Sequence, residues 1–190
     1  MSGGGERFSW LADPQLVMWC VTFVRGVSPV EALRRLGAEP VSEKLTAGEA
    51  ASQPTADEGA WMARAAELDS GWSVVVELLS WQGARPALLE LASADTEVVS
   101  VFLSGSGADV FHYAAGGKVV TWFEPTMPES CGGTEPDRFA AAMQRVGLGA
   151  DEEFTSGPGG ALELIRQEFG IELDRHLLLD APLVAGLVRK

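Results

Sequence analysis

The stretch that most constrains the fold runs from Thr96 to Pro125, TEVVSVFLSGSGADVFHYAAGGKVVTWFEP. Its valine and aromatic residues fall into three runs, separated by a glycine-rich segment and by Gly116-Gly117. Such runs bounded by glycine predict strands, and two glycines between two runs predict a tight hairpin turn. The stretch therefore predicts three antiparallel strands. Both of their faces are apolar, so both need other elements packed against them.

Elements upstream complete a recognisable order. A helix opens at Ser28, where proline takes the first helical position and Glu31 completes an S-x-x-E capping box. The other predicted elements are strands at 18–24, 61–68 and 72–79 and a helix at 85–94. With the first strand of the 96–125 stretch, the order is β-α-β-β-α-β, the ferredoxin-like pattern. We predict an α+β fold, a ferredoxin-like antiparallel sheet extended by a β-hairpin, with spatial strand order 2-3-1-4-5-6.

Two charged residues in the predicted sheet need an explanation. If Ser70-Gly71 forms a two-residue turn, the register places Arg64 opposite Glu77. Glu77 is an unusual carboxylate within a valine-rich strand. A cross-strand ion pair accounts for it, and we favour that interpretation over a catalytic acid.

The 190 residues are a suitable length for one domain. We predict that 8–125 forms the sheet with its two helices and that 126–190 is a C-terminal helical segment packed on the same domain. Residues 1–7 read as a disordered tail, and 38–59 as a mobile connection with one helical turn near 46–51. The C-terminal helices are predicted at 135–146, 158–169 and 174–179.

The net charge of the chain limits the classes of partner that it can bind. The chain has 27 acidic and 14 basic residues, a net charge of −13. Such a surface repels nucleic-acid phosphates and anionic lipid headgroups, so we expect neither a nucleic-acid nor a membrane partner. No run approaches the roughly 20 apolar residues of a membrane span, and the N-terminus lacks a signal-peptide pattern. We therefore expect a cytoplasmic protein with reduced cysteines.

Motifs for cofactors, metals and covalent catalysis are missing from the sequence. The acidic residues between 124 and 137 have no ligand spacing, and both histidines lie elsewhere. We expect no cofactor and no metal. A type I′ turn at Gly116-Gly117 pairs His112 with Thr121, which makes His112 a weak acid–base candidate. A core histidine satisfied by a hydroxyl is the interpretation that we favour.

The same register gives one aromatic face to the hairpin, with Phe111, Tyr113, Val120 and Trp122. Pockets for small molecules are commonly apolar and aromatic, so Tyr113 and Trp122, with Thr121 nearby, are weak candidates for ligand binding. A core packed by the C-terminal helices explains this face as well, and we prefer that explanation.

Several segments resemble an actinobacterial family of uncharacterised proteins. They are W-C-V-T-F-V-R-G-V-S-P from Trp19, continuing through Leu33–Gly37, the shorter pieces Gly71-Trp72 and Val99–Phe102, and Y-A-A-G-G-K-V-V-T-W-F-E-P from Tyr113. The resemblance covers most of 8–180 and implies an actinobacterial, cytoplasmic context without any catalytic residue. Arg25 belongs to the resembling motif. It is a candidate binding residue, or it holds a loop in place.

The leading hypothesis is a non-enzymatic binding or interaction module for a protein partner or a small apolar ligand. One alternative is a small enzyme that uses His112 as acid–base, helped by Tyr113, Glu124 or Arg25. That alternative requires His112 to be open to solvent in a cleft, beside a carboxylate or an arginine. Another is an immunity or regulatory protein that binds a basic partner. The sequence does not indicate an oligomeric state.

Overall fold

A computed structural model describes residues 7–53, 59–104, 107–148 and 157–189. Across these residues one antiparallel sheet has nine strands in the order β2-β9-β3-β4-β1-β5-β6-β7-β8. The strands are β1 (Met18–Arg25), β2 (Ala38–Leu45), β3 (Trp61–Glu67), β4 (Trp72–Leu78), β5 (Glu97–Ser104), β6 (Val110–Ala115), β7 (Lys118–Glu124), β8 (Met127–Gly132) and β9 (Leu183–Val188). The predicted mixture of helices with an antiparallel sheet is confirmed.

Helices cover the sheet on both sides. They are α1 (Pro29–Arg35), α2 (Ala47–Ser52), α3 (Pro86–Ala92), α4 (Ala140–Arg145) and α5 (Gly157–Phe169). Short 3₁₀ segments occupy Ser9–Ala12 and Gln82–Ala84, and one π-helical turn occupies His176–Asp180. None of the helices in the described ranges is both long and apolar enough to cross a membrane.

The two faces of the sheet have separate cores. On one face, α1 and α3 pack through Leu33 and Leu89 against Val24, Val75 and Val98. On the other face, α4, α5 and the π-helical turn bury the larger core. That core includes Trp19, Phe23, Phe111, Phe139, Ile165 and Leu178. The prediction that both faces of the 96–125 strands need covering therefore agrees with the packing.

Three strands were not predicted. Residues 38–59 were predicted as a connection, but 38–45 is β2, and the predicted helical turn near 46–51 is α2. Residues 54–58 of that prediction, and 1–6 of the predicted tail, lie outside the described residues. The segment 126–190 was predicted as helical, yet it contributes β8 and β9 to the sheet.

The nine strands contain the run β3-β4-β1-β5-β6-β7, and α1 and α3 share one face. Pro40 explains why the sequence does not predict β2, because within sheets proline is confined mainly to edge strands and bulges. In β2 the register shifts between Pro40 and Lys44, and the strand lies at the edge of the sheet. With three added strands, the ferredoxin-like classification stays a prediction.

Candidate functional site

A large cavity lies between α2, the start of β3 and the segment that follows β4. Its volume is about 700 Å³, within the range of small-molecule sites. We call it the Arg64 cavity. The lining residues used below are Ala47, Ala50, Trp61, Arg64, Leu79 and Trp81.

Helix α2 makes room for the cavity. Its N-terminus is fixed by a capping box: the Glu49 N–H donates to Thr46 Oγ1 at 3.3 Å, and the Thr46 N–H donates to the Glu49 carboxylate at 2.8 Å. Ala47 and Ala50 lie three positions apart, on one face of the helix. Because this face carries only small side chains, it leaves space against β3.

Two large apolar side chains lie at the rim of the cavity, and the backbone of one of them is strained. Leu79 has φ of 57° and is 72% exposed, and Trp81 is 58% exposed. A leucine in the left-handed region is uncommon, and such strained residues cluster at functional sites. The rim therefore presents two large apolar side chains to solvent, one of them on a strained backbone.

The loop between β3 and β4 determines where Arg64 points. The loop has three residues, Asp69-Ser70-Gly71, because the Leu68 N–H donates to the Trp72 carbonyl at 2.8 Å. Gly71 takes the left-handed conformation with φ of 78°, as hairpins of this length require. Arg64 consequently lies opposite Val76.

The predicted pairing of Arg64 with Glu77 is wrong. It assumed a two-residue turn, and a shift of one residue in register moves a side chain to the other face of a sheet. Arg64 lies beside Val76 on the face of the larger core, whereas Glu77 lies two residues after Val75 and points with it to the α1–α3 face. The two charges are separated by the sheet itself.

Arg64 is therefore a buried cation with no counter-charge among the described residues. It is 1% exposed, its Nη2 donates to the Leu178 carbonyl, and its Nη1 has no hydrogen-bond partner within the described ranges. Burial lowers the pKa of Arg64 to about 10, so the guanidinium stays charged at neutral pH. Among the ion pairs between described residues, none involves Arg64. Such a group is costly to bury.

The charged residues that line the cavity share one sign. They are Arg64 and, at the rim, Arg85, whose Nη1 donates to the Gln82 side chain at 3.1 Å. The described lining residues include no aspartate or glutamate, although the chain has 27 acidic residues. A concave surface lined by one sign of charge concentrates its potential. The positive charges of the described lining residues therefore favour an anion.

Glu77 has a structural role beneath the rim. The Ser80 hydroxyl donates to one carboxylate oxygen at 2.5 Å, and the Gly83 N–H donates to the other at 2.9 Å. Burial raises the pKa of Glu77, and these hydrogen bonds oppose the rise. The hydroxyls of Thr22 and Ser100 donate to the Gly83 carbonyl at 3.1 and 2.8 Å. These contacts fasten the rim segment 80–83 to the sheet.

Gly83 has no room for a side chain. A Cβ there would lie 2.4 Å from Thr22 Oγ1 and 2.8 Å from a Glu77 carboxylate oxygen. Cys20 lies in the same cluster, where burial raises the pKa of its thiol. A thiol so buried behaves as a small apolar side chain rather than a nucleophile.

A second concavity of about 260 Å³ brings together two of the predicted site residues, Arg25 and Tyr113. We call it the Arg25 cleft. Arg25 forms an ion pair with Glu97, and the Tyr113 hydroxyl donates to the same carboxylate at 2.7 Å. The Arg138 guanidinium lies 4.9 Å from the centroid of the Tyr113 ring.

The charges of the Arg25 cleft compensate one another. The Tyr113 hydroxyl and then Arg25 lower the pKa of Glu97, against the effect of burial. Burial, and then Glu97, raises the pKa of Tyr113 to about 12. Glu168, which also lines the cleft, forms an ion pair with Arg145 at 2.5 Å. The cleft therefore holds a closed network rather than an unmet charge.

The other predicted residues lie apart, because a β-bulge changes the hairpin register. The pairs Ala115–Lys118 and Ala114–Val119 are as predicted, but the register shifts before Tyr113, which lies opposite Thr121. The predicted pair of His112 with Thr121 is wrong, and His112 faces Trp122 instead. An extra residue on one strand, as in any bulge, causes the shift.

Thr121 and Trp122 therefore face opposite sides of the sheet. Thr121 donates its hydroxyl to the Pro136 carbonyl at 3.0 Å. The Trp122 indole lies against Gly132, where an added Cβ would be 2.6 Å from the indole nitrogen. Neither residue lines the Arg64 cavity or the Arg25 cleft.

His112 is buried in the sheet. It is 6% exposed, and its Nδ1 has no hydrogen-bond partner among the residues that the structure describes. Burial lowers the pKa of His112 to about 4, so the imidazole is neutral at physiological pH. It lines neither the Arg64 cavity nor the Arg25 cleft. The imidazole therefore lacks the access to solvent that acid–base chemistry on a bound molecule requires.

Sequence reasoning missed the Arg64 cavity. The two-residue turn predicted at Ser70-Gly71 paired Arg64 with Glu77, so Arg64 was not expected to be without a counter-charge. The helical turn near 46–51 was predicted only as part of a mobile connection, although Thr46 and Glu49 carry the T-x-x-E signal of a capped helix. That signal, with alanines at 47, 50 and 51, was sufficient to predict a helix with a small-residue face.

Comparison with known proteins gives a family but no function. The chain belongs to the family of unknown function DUF6461, which matches residues 5–190. No curated protein and no solved structure matches it. The resemblance to an uncharacterised family agrees with this membership.

Proposed function

We propose that the protein is a binding module that takes a small, mainly apolar molecule into the Arg64 cavity. The observation that carries the proposal is the cavity of about 700 Å³ with Ala47, Ala50 and Met62 in its wall and the exposed Leu79 and Trp81 at its rim. Exposed apolar side chains around a concave site typically mark binding surfaces. The Arg25 cleft is smaller and its charges are compensated, which makes it a weaker candidate.

A neutral apolar dye tests the proposal without involving charge. Trp61 and Trp81 both line the cavity, so binding of Nile red should enhance dye emission and quench tryptophan emission together. Ala50→Phe places a ring in the cavity and should weaken dye binding by at least about tenfold, or 1.4 kcal/mol.

Ala87→Phe is the matched control. Ala87 is exposed on α3 and does not line the cavity, so the same change there should leave dye binding unaltered. Equal binding by the wild type, Ala50→Phe and Ala87→Phe would show that the dye binds elsewhere. That result, or no binding at all, would contradict the proposal.

The remaining interpretations stay predictions. Cytoplasmic location and actinobacterial origin rest on the composition and on the resembling segments. The immunity or regulatory alternative rests on the net charge of −13. Native mass spectrometry of the purified protein tests it together with our proposal, because it reports a bound small molecule and a bound protein as different mass increments.

A further inference from the structure

Arg64 is the feature that binding of an apolar molecule does not explain. An apolar ligand gains nothing from a guanidinium in the wall of its site, whereas the free protein bears the cost of burying that charge. The cost is offset when an anion binds beside it, because charge-assisted hydrogen bonds to arginine are the strong ones. A buried arginine with an unused donor can therefore form an ion pair with a bound anion.

We propose that the ligand of the Arg64 cavity is an amphipathic anion, an apolar body with one carboxylate that Arg64 receives. This inference rests on the proposed function. Three observations support it. Nη1 of Arg64 has no partner among the described residues. The charged lining residues are Arg64 and Arg85, with no acid among the described ones. The lining also contains four alanines, two leucines, a methionine and two tryptophans.

The geometry divides the roles between the two arginines. Nη2 of Arg64 is fixed by the Leu178 carbonyl, which orients the guanidinium plane and leaves Nη1 for a ligand oxygen. In the free structure Nη1 is covered, so contact with the anion takes an adjustment of side chains, which is common on binding. Arg85 is exposed at the rim and attracts the anion from solvent.

The body of the ligand is apolar because of what surrounds the charge. A free inorganic anion would leave the walls formed by Met62, Leu78 and Trp61 in contact with water. An acyl chain or an aromatic ring with a terminal carboxylate covers both the walls and the charge. Phosphate monoesters share the anionic chemistry, so the experiment includes one.

The test compares molecules that differ only in the charged group. Decanoate, decanol and decyl phosphate are titrated against the full chain by calorimetry, in wild type and in Arg64→Met. We expect decanoate to bind the wild type at least about tenfold more tightly than decanol, and the preference to disappear in Arg64→Met. Arg64→Lys keeps the charge and should retain part of the preference. Arg34→Gln removes one exposed positive charge outside the cavity and should change nothing.

Each outcome decides a different claim. If decanol binds as tightly as decanoate to the wild type, the apolar binding function stands and the anion inference is overturned. If decyl phosphate binds much more tightly than decanoate, the carboxylate assignment is overturned in favour of a phosphate. If none of the three binds and Nile red does not bind either, both the inference and the proposed function fail. Circular dichroism of each variant excludes unfolding as the cause of lost binding.

Discussion

Arg64 in β3 and Arg25 in β1 belong to the same sheet, yet their surroundings are opposite. Arg25 has a side chain that is 61% exposed and pairs with Glu97, which also accepts a hydrogen bond from Tyr113. Arg64 is 1% exposed and, among the described residues, has one carbonyl as its partner. The arginine that is exposed to water has a counter-charge, and the buried arginine has none among the described residues.

This difference separates a structural charge from a candidate functional one. Exposed ion pairs contribute little to stability, about 0–1 kcal/mol, and their loss is tolerated. A buried unpaired cation lowers stability, and natural proteins retain such groups where function requires them. The Arg25 cleft is explained by its own internal contacts, whereas we propose that the Arg64 cavity is explained by a molecule that binds there.

Replacement of Glu77, the buried carboxyl group beneath the cavity rim, should have the largest effect on stability. Glu77→Ala leaves the Ser80 hydroxyl and the Gly83 N–H without acceptors, so we expect a loss of about 2–4 kcal/mol in the free energy of unfolding. Glu77→Gln keeps an acceptor for Gly83 and should lie within about 1 kcal/mol of the wild type. Urea denaturation measures both. An alanine variant as stable as the wild type would remove the contrast between a satisfied and an unsatisfied buried charge.

Arg64→Met should change stability in the other direction. In protein freed of bound small molecules, removal of the unpaired cation should raise the free energy of unfolding by about 1–3 kcal/mol, because methionine suits an apolar surrounding. Urea denaturation at neutral pH compares the variant with the wild type. A loss of more than about 1 kcal/mol would show that the bond to Leu178 outweighs the burial cost, and that Arg64 is structural like Arg25.

Tyr113→Phe tests the closed network of the Arg25 cleft. The change removes one hydrogen bond to Glu97, and we expect a loss of about 1 kcal/mol at neutral pH. The pKa of Glu97 is lowered in the folded state, so the stability that this carboxylate contributes is present above its unfolded pKa. It is lost as the pH falls through the lowered folded value. The difference between wild type and variant should therefore shrink below about pH 4.5, as followed by thermal unfolding. A difference that does not change with pH would contradict the coupling.

Arg25→Gln should have the smallest effect, below about 0.5 kcal/mol. A double-mutant cycle with Glu97→Gln isolates the interaction between the two side chains. The coupling should diminish in about 1 M salt, because exposed charges are screened. A coupling above about 2 kcal/mol would show that the Arg25–Glu97 pair contributes substantially to stability. It would contradict the claim that Arg25 differs from Arg64 in being energetically unimportant.

Local sequence patterns predicted the strongly apolar strands and helix α1. The Ser28 side chain accepts from the Glu31 N–H at 3.3 Å, as its capping box indicates. The strands β2 and β8 lie at the two edges of the sheet, where one side has no neighbour and polar residues are tolerated. Their sequences, AEPVSEKL and MPESCG, therefore carry no strand pattern. Strand β9, LVAGLV, is a short apolar run that fits a buried strand.

The candidate site depended on details that pattern alone does not fix. A turn of two residues and a turn of three are both compatible with Asp69-Ser70-Gly71, yet they direct Arg64 to opposite faces. The bulge near Tyr113 separates His112 from Thr121 in the same way. Composition and periodicity predict where helices and strands lie. The partners of a buried charge depend on the strand register, which one extra residue in a turn or a bulge shifts.

A crystal structure of the protein with decanoate tests the central claim most directly. We predict that the carboxylate lies within about 3 Å of Nη1 of Arg64, with the alkyl chain between α2 and β3 and the Leu178 contact preserved. A carboxylate bound only at the exposed Arg85, with Nη1 of Arg64 still covered, would contradict the claim that Arg64 binds the anion.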